Sequence, residues 1–441
     1  MRTIINEIKC ILQKNVTFII LFITIVLYPI IITSRASRYD GTYEKIKLLN
    51  DEGLRLSVQK DFDSAIEHLF GAHQLDPNNR IVRKNLANTY VNYAVELKST
   101  GKQDKAISLL EQASMLNANI EPVHTLLAKL YFEKGDLLGA EKEARIALLT
   151  NPHDPYLLKF LGHLNYLMEK HTESIDTYHR LSKMHNIPLE TFDMEKIERE
   201  KKLFRSYKKI YAHPFVIYYP DKHHHQHATW IAESLARTYL RLGEWFSYYP
   251  QTEISVYCYP ETEFNDILHT DFFIIGLYDG KIRLRLNSDD AIRLKKTAAH
   301  EYTHHVLACV THQNIPFWCN EGIAQFVANE WDSMRSKLFD MAIDRNDLID
   351  FVAIEEGAQS RFDVHDIRLA YMQSYVAIDF LVAEYGEGIL RELINGLKEG
   401  KDAEEVIEDV MLMSYSEFKN SMIVFYKKQR IISYKKVASS K

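Results

Sequence analysis

Apolar and polar positions fall into three regimes along the chain. The first is a run from Val16 to Ile32 that carries no charge and is broken only by Thr17, Thr24, Tyr28 and Pro29. Its length lies at the short end of what crosses a bilayer as a helix. Residues 16–33 therefore predict a single-pass transmembrane anchor behind an N-terminal stub, 1–15. Arg2, Lys9 and Lys14 in the stub favour a cytoplasmic N-terminus, against Arg35 and Arg38 on the far side, and so an extracytoplasmic soluble part. A cleavable signal segment is the rival, since Ser34-Arg35-Ala36 loosely imitates a small-residue cleavage site; the apolar run is longer than such segments usually are. The second regime, 40–190, has helical periodicity throughout. The third, 211–430, mixes short β-rich runs with helices.

The helical regime repeats. Small residues recur at Gly53, Ala87, Ala128 and Gly162, and again at Ala65, Ala106, Ala140 and Ser174. Steps within each set are 34 residues, apart from one of 41 that marks an insertion. Prolines fall nearly in step at Pro77, Pro152 and Pro188, with Ala118 in the remaining place, and larger residues such as Tyr90, Leu69, Leu110 and Tyr178 fill partner positions. The physical logic is one helix pair per unit, with small residues where helices cross closely. This pattern resembles about four tetratricopeptide repeats over roughly 46–190. Such solenoids offer a concave face to a protein partner or a peptide, although a plain packing platform has the same signature. A charged stretch, 191–210, predicts a connecting helix.

In the third regime Phe215–Tyr219 and Ile254–Tyr259 are predicted strands, with a helix between them stepping through Ile231, Leu235, Tyr239, Leu242 and Phe246. Phe272–Tyr278 turns at Asp279-Gly280 into Lys281–Leu286, a hairpin signal. Ile282, Leu284 and Leu286 alternate with Lys281, Arg283 and Arg285, which predicts a strand with one solvated face. Charge changes this picture little. With 26% charged residues and a net charge of −6 the composition is that of a globular protein, and no basic excess points to nucleic acid. The basic end, 431–441, is a solvated tail. Four cysteines, Cys10, Cys258, Cys309 and Cys319, form no disulfide framework and no C-x-x-C pair, so the last three are expected as buried thiols. The tract His223-His224-His225-Gln226-His227 opens a helix and is expected as an exposed first turn.

Candidate chemistry concentrates at His300-Glu301-Tyr302-Thr303-His304. On a helix the two imidazoles share a face one turn apart and can reach one ion, with Glu301 beside them as a base toward water. The helix is expected to start near Asp289-Asp290 and to be followed, after Asn314-Ile315-Pro316, by a second one carrying Asn320-Glu321-Gly322-Ile323-Ala324. Two imidazoles are too few for a catalytic zinc, and a helical hairpin can return Glu321 as a third ligand. Gly322 and Ala324 are small, as expected where helices approach closely around an ion. His305 and His312 lack ligand spacing.

Residues 211–425 resemble the gluzincin metallopeptidases, in particular their peptidase MA-like branch, in which tetratricopeptide repeats often accompany the protease. The resemblance rests on Gly276-Leu277-Tyr278-Asp279-Gly280, on His300 to His304, on Pro316 to Ala324, and on Ala370 to Tyr375 in a helix ending at Tyr385-Gly386. It implies an α-helical repeat solenoid followed by an α+β zincin-like domain over 211–430. It also implies one zinc ion held by His300, His304 and Glu321, Glu301 as general base, and hydrolysis of peptide bonds in a peptide or protein substrate. A later-helix tyrosine would steady the oxyanion, Tyr371 first and Tyr375 as the alternative. The strand ahead of the metal helix would lie along the cleft and pair with substrate. Two departures stand out: Cys319, where an aliphatic or small polar residue is usual, and Val410-Met411, where a glycine is common. A repeat scaffold without activity, or a metal-dependent amidase on a non-protein substrate, are the other readings of the same residues.

Overall fold

The structure is a computed structural model describing residues 28–116, 121–192, 194–250, 252–268, 275–286, 290–357 and 362–439. It is mostly helical, with one small mixed sheet. Most of the expected anchor, 16–33, together with Cys10, Ala118 and Asp289, lies outside the described residues. Among the described residues no helix is long and apolar enough to cross a membrane.

Among the described residues eight helices come first: α1 (Tyr28–Val58), α2 (Phe62–Leu75), α3 (Arg80–Ser99), α4 (Gln103–Leu116), α5 (Glu121–Glu133), α6 (Leu137–Thr150), α7 (Pro155–Leu167) and α8 (His171–His185). Both sets of recurring small residues, Gly53 to Gly162 and Ala65 to Ser174, are buried throughout. Asp61 and Asp136 stand at equivalent places two repeat steps apart, and each carboxylate accepts from a backbone N–H in the first turn of its helix. Asp154 caps α7 in the same way, with Pro155 at the first helical position where no donor is lost. The chain divides into two compact units. One is the chain up to Val95 with Ser108–Ile120; the other is Glu96–Ile107 with Glu121–Lys441.

In the second unit α9 (Met194–Phe204) leads into β1 (Lys208–Ala212) and β2 (Phe215–Tyr219). The connecting helix is thus shorter than expected. It ends at Phe204, and the Lys208-Lys209 stretch becomes an edge strand paired antiparallel with β2. The chain continues through α10 (His225–Phe246), β3 (Ile254–Pro260), α11 (Glu261–Leu268), β4 (Gly276–Tyr278) and β5 (Ile282–Leu286). Helices complete it: α12 (Ala291–Val310), α13 (Phe317–Ala328), α14 (Ser333–Arg345), α15 (Phe351–Gly357), α16 (Val364–Tyr385), α17 (Gly388–Lys398), α18 (Ala403–Met411) and α19 (Tyr415–Ser439). The expected tail from 431 continues as part of α19, with its side chains outside the description.

The sheet runs β1-β2-β3-β5-β4. β2, β3 and β5 are parallel, and β1 and β4 are antiparallel edges. One face, with Ile217, Val256, Ile282 and Leu284, packs on α10 and α12 through Ile231, Leu235, Ala298 and Tyr302. The other face is covered as well: Tyr257 and Tyr259 pack with Phe204 of α9 and Phe264 of α11.

That second cover overturns the expectation of a half-solvated β5. Every residue of β5 is buried, and Arg283 is 0% exposed. A guanidinium can lie there because its charge is met on all sides. Arg283 donates to Glu200 of α9, to the hydroxyls of Tyr259 and Tyr166, and through Nε to Asp279 Oδ1 at 2.9 Å. Tyr166 OH in turn donates to Glu200 Oε2 at 2.9 Å, and Lys196 Nζ to Asp279 Oδ2 at 3.1 Å. Lys281 Nζ lies 2.7 Å from Glu169 Oε1 and 4.0 Å from the centre of the Tyr166 ring. Three cations, Lys196, Lys281 and Arg283, thus meet three carboxylates, Glu169, Glu200 and Asp279. Tyr166 belongs to α7, Glu169 to the turn between α7 and α8, and Glu200 to α9, so this network holds α7 and α9 to the sheet.

Candidate metal centre

The centre is built where one helix hairpin folds back on itself. Asp290 starts α12 by accepting from the N–H groups of Ile292 and Arg293. Ten residues later His300 and His304 stand one turn apart on that helix. After Val310 the chain reverses through His312 and Gln313, both at positive φ (52° and 64°), and Pro316 leads into α13. The reversal returns Glu321 to the two imidazoles. His300 Nε2 and His304 Nε2 are 3.0 Å apart; Glu321 Oε2 lies 3.5 Å from the first and Oε1 3.6 Å from the second. One donor atom from each of the three residues falls within 4.8 Å of the others, and among the described residues no other group of three such side chains does so. The histidine tract at 223–227 is not gathered in this way.

The supporting residues, which the sequence did not identify, are Asn320 and Glu330. Asn320 Oδ1 is 2.9 Å from His304 Nδ1, and Glu330 Oε1 is 3.0 Å from His300 Nδ1. Asn320 thus supplies an acceptor to the outer nitrogen of His304, while the Glu330 carboxylate stands beside that of His300 as an ion-pair contact without hydrogen-bond geometry; both leave Nε2 turned toward Glu321. Asn320 directly precedes the carboxylate in the Asn-Glu-Gly motif, a signal that could have been read. Glu330 sits just past the end of α13, and nothing in its local pattern marks it.

Electrostatics at two of the three donors, Glu321 and His300, favour positive charge at the centre. Burial opposes ionisation of Glu321, but His304, His300 and the Tyr371 hydroxyl outweigh it and hold the carboxyl below its usual range. Burial likewise opposes charge on His300, and Glu321 and Glu330 outweigh it, raising that imidazole well above its ordinary value. His304 is lowered, chiefly by burial. Glu321 Oε2 is buried and makes no hydrogen bond, its 3.5 Å separation from His300 being too long for one. Two imidazole nitrogens and an orphaned carboxylate oxygen around one point are the donor chemistry that suits a zinc ion.

Glu301 is set apart from this trio. Its side chain is buried against the edge strand, where a β-carbon on Gly276 would come within 2.4 Å of Oε1. Burial, reinforced by Glu321 and Glu330 and opposed by His300, pushes its pKa up to about 8. The two tyrosine candidates separate. Tyr371 lines the same cleft and its hydroxyl reaches Glu321. Tyr375, one turn on, is buried away from the centre and stacked on Trp331, with ring centroids 4.9 Å apart. The small residue Gly322 serves a different crossing from the one expected. A β-carbon there would lie 2.4 Å from the carbonyl oxygen of Ser374, so its close partner is α16. Cys258, Cys309 and Cys319 are free, buried thiols. His305 packs against Tyr302 and Tyr278, and burial lowers its pKa to about 4.

Residues 268–420 match the family model of the Peptidase MA superfamily, a span that takes in α12, α13 and α16 and therefore every residue of the centre. Members of that superfamily are typically metal-dependent peptidases. None of the curated proteins matches the chain.

Proposed function

We propose that the chain is a membrane-anchored, zinc-dependent peptidase of the gluzincin type, with His300, His304 and Glu321 holding one zinc ion. The observation that carries this reading is the three-residue donor set with its orphaned Glu321 oxygen. A zinc ion there would supply Lewis acidity, making water acidic near neutral pH and polarising a carbonyl.

The chain's own groups divide the rest of the work. Glu301 takes a proton from the attacking water as the new C–O bond forms, and hands it to the departing amine nitrogen as the C–N bond breaks. Its place beside the three donors and against the edge strand lets one carboxylate serve both steps, accepting the proton first and releasing it second. Tyr371 donates its hydroxyl hydrogen to the carbonyl oxygen as charge gathers there. Asn320 and Glu330 hold the imidazoles in the tautomer and orientation the site needs. The N-terminal apolar span anchors the chain with its soluble part outside the cytoplasm, and tetratricopeptide-like repeats present a partner or substrate.

The deciding experiment measures metal content and cleavage together. Purified full-length protein is expected to carry close to one equivalent of zinc and to cleave casein in a chelator-sensitive way. Glu301→Gln keeps the zinc and loses cleavage, whereas Glu321→Gln loses the zinc. Less than about a tenth of an equivalent after purification without chelators would sink the reading.

A further inference from the structure

The cleft that opens onto the metal centre has a volume of about 1470 Å³, and part of its wall comes from outside the peptidase-like domain. Phe132, Glu133 and Leu137, at the α5–α6 turn, and His163 and Leu167 of α7 line it together with Ile275 to Gly280 and His300, Glu301 and His304. Resting on the peptidase reading above, we propose that Phe132, Leu137 and Leu167 form a specificity subsite that receives an apolar side chain of an extended peptide substrate.

Chemistry on this wall supports an apolar occupant. Phe132, Leu137 and Leu167 supply its hydrocarbon surface. Glu133 is ion-paired with Lys98, whose Nζ donates to Oε1 at 2.7 Å, while its Oε2 is buried without a hydrogen bond. Asp279 is engaged by Lys196 and Arg283. His163 is held toward its neutral form, burial lowering its pKa. A charged substrate side chain would lose water here and find no counter-ion, whereas an apolar one would replace water with contacts.

The occupant follows from continuity with the centre. Among the described residues β4, rather than the expected β5, is an edge of the sheet: β5 is paired on both sides, by β3 and β4, whereas β4 bonds to β5 alone, and Gly276–Tyr278 line the cleft. A peptide extended along that edge projects alternate side chains away from the sheet plane. The wall is fixed in place as well. Leu167 packs on Gly280 in the β4–β5 turn, and the neighbouring Tyr166 hydroxyl is held by Arg283, with Nη2 to OH at 2.6 Å. The subsite and the edge strand therefore keep their separation, which a selective pocket requires.

The test uses the full-length zinc-loaded chain and a library of peptides varied at each position around the cleaved bond. Wild type is expected to prefer an apolar residue at one position. Leu137→Lys is expected to shift that single preference toward acidic residues by about tenfold in relative kcat/KM, with zinc content and melting temperature unchanged; Phe132→Ala should flatten it. A second measurement needs no turnover: p-benzoylphenylalanine at position 137, in a Glu301→Gln background, should cross-link to that same position of a library peptide. Cleavage with an unchanged preference and no cross-link overturns the subsite alone. A cross-link in a chain whose wild type cleaves nothing retains the subsite and overturns the peptidase reading. Neither cleavage nor cross-link overturns both.

Discussion

Gly276 and Glu301 stand so close that a single methyl group cannot be inserted between them: its carbon would lie 2.4 Å from Oε1 and 2.8 Å from Cγ. The edge strand thereby fixes where the base can point. Gly276→Ala is expected to turn the carboxylate aside, lowering kcat by about a hundredfold while zinc content stays at wild-type level. Thr297 Cγ2, at 2.6 Å, adds a steric clash of about 1–3 kcal/mol. Steady-state kinetics beside metal analysis checks this; loss of zinc would show that the strand supports the ligands instead.

Asn320 and Glu330 should reveal themselves through affinity. Asn320→Ala and Glu330→Ala each free one imidazole to rotate, and each is expected to weaken zinc binding by about 10–100-fold. Competition with a chelating dye measures it directly. Unaltered affinity in both variants would mean that helix packing alone orients the rings.

The two tyrosines make opposite predictions. Tyr371→Phe removes a hydroxyl that faces the cleft and should reduce kcat by about 10²–10³-fold, with KM and zinc content little changed. Tyr375→Phe keeps the ring that stacks on Trp331 and should leave turnover as it was. A reversed ranking would reassign the role.

Arg283 and Glu200 tie stability to pH. Burial opposes ionisation of Glu200, yet Arg283 and Lys281 outweigh it and depress its pKa; Asp279 is depressed in the same way, by Arg283 and Lys196. A carboxyl with a depressed folded-state pKa stabilises fully above its unfolded value, near 4, and that contribution fades as pH falls toward the folded value. Acid titration of the melting temperature should therefore show a loss below about pH 4 that is shallower in a Glu200→Gln, Arg283→Met pair. At neutral pH, Arg283→Met alone strands a buried carboxylate and is expected to cost about 3–5 kcal/mol, more than the pair. Denaturant unfolding of the three proteins measures the difference.

What could be read in advance follows the range of the forces involved. Strands such as Phe215–Tyr219 and the helices around His300 and Glu321 declare themselves through local periodicity and caps, so their positions were legible. β1 was not: Lys208-Lys209-Ile210-Tyr211-Ala212 is an exposed edge whose pattern continues the charged helix before it. Nor was the burial of Arg283. Its alternation with Leu284 is what a solvated face produces, and its counter-ion Glu200 lies 83 residues upstream. The separation of Tyr371 from Tyr375 was equally hidden, since i and i+4 share a helix face and only the angle of α16 over α13 decides which of them reaches Glu321.

The shared ion network also decides how this chain can be dismantled. A fragment beginning after α8 would retain Lys196, Lys281 and Arg283 but lose Glu169 and the Tyr166 hydroxyl, leaving three cations against the two carboxylates Glu200 and Asp279 and uncovering the part of the network that α7 shields. The C-terminal region is thus not a portable module. Any rearrangement joining it to a different N-terminal partner would have to bring along a carboxylate and a phenol at the same two places, so the boundary that matters for recombination, truncation or fusion lies upstream of Tyr166, inside the helical array.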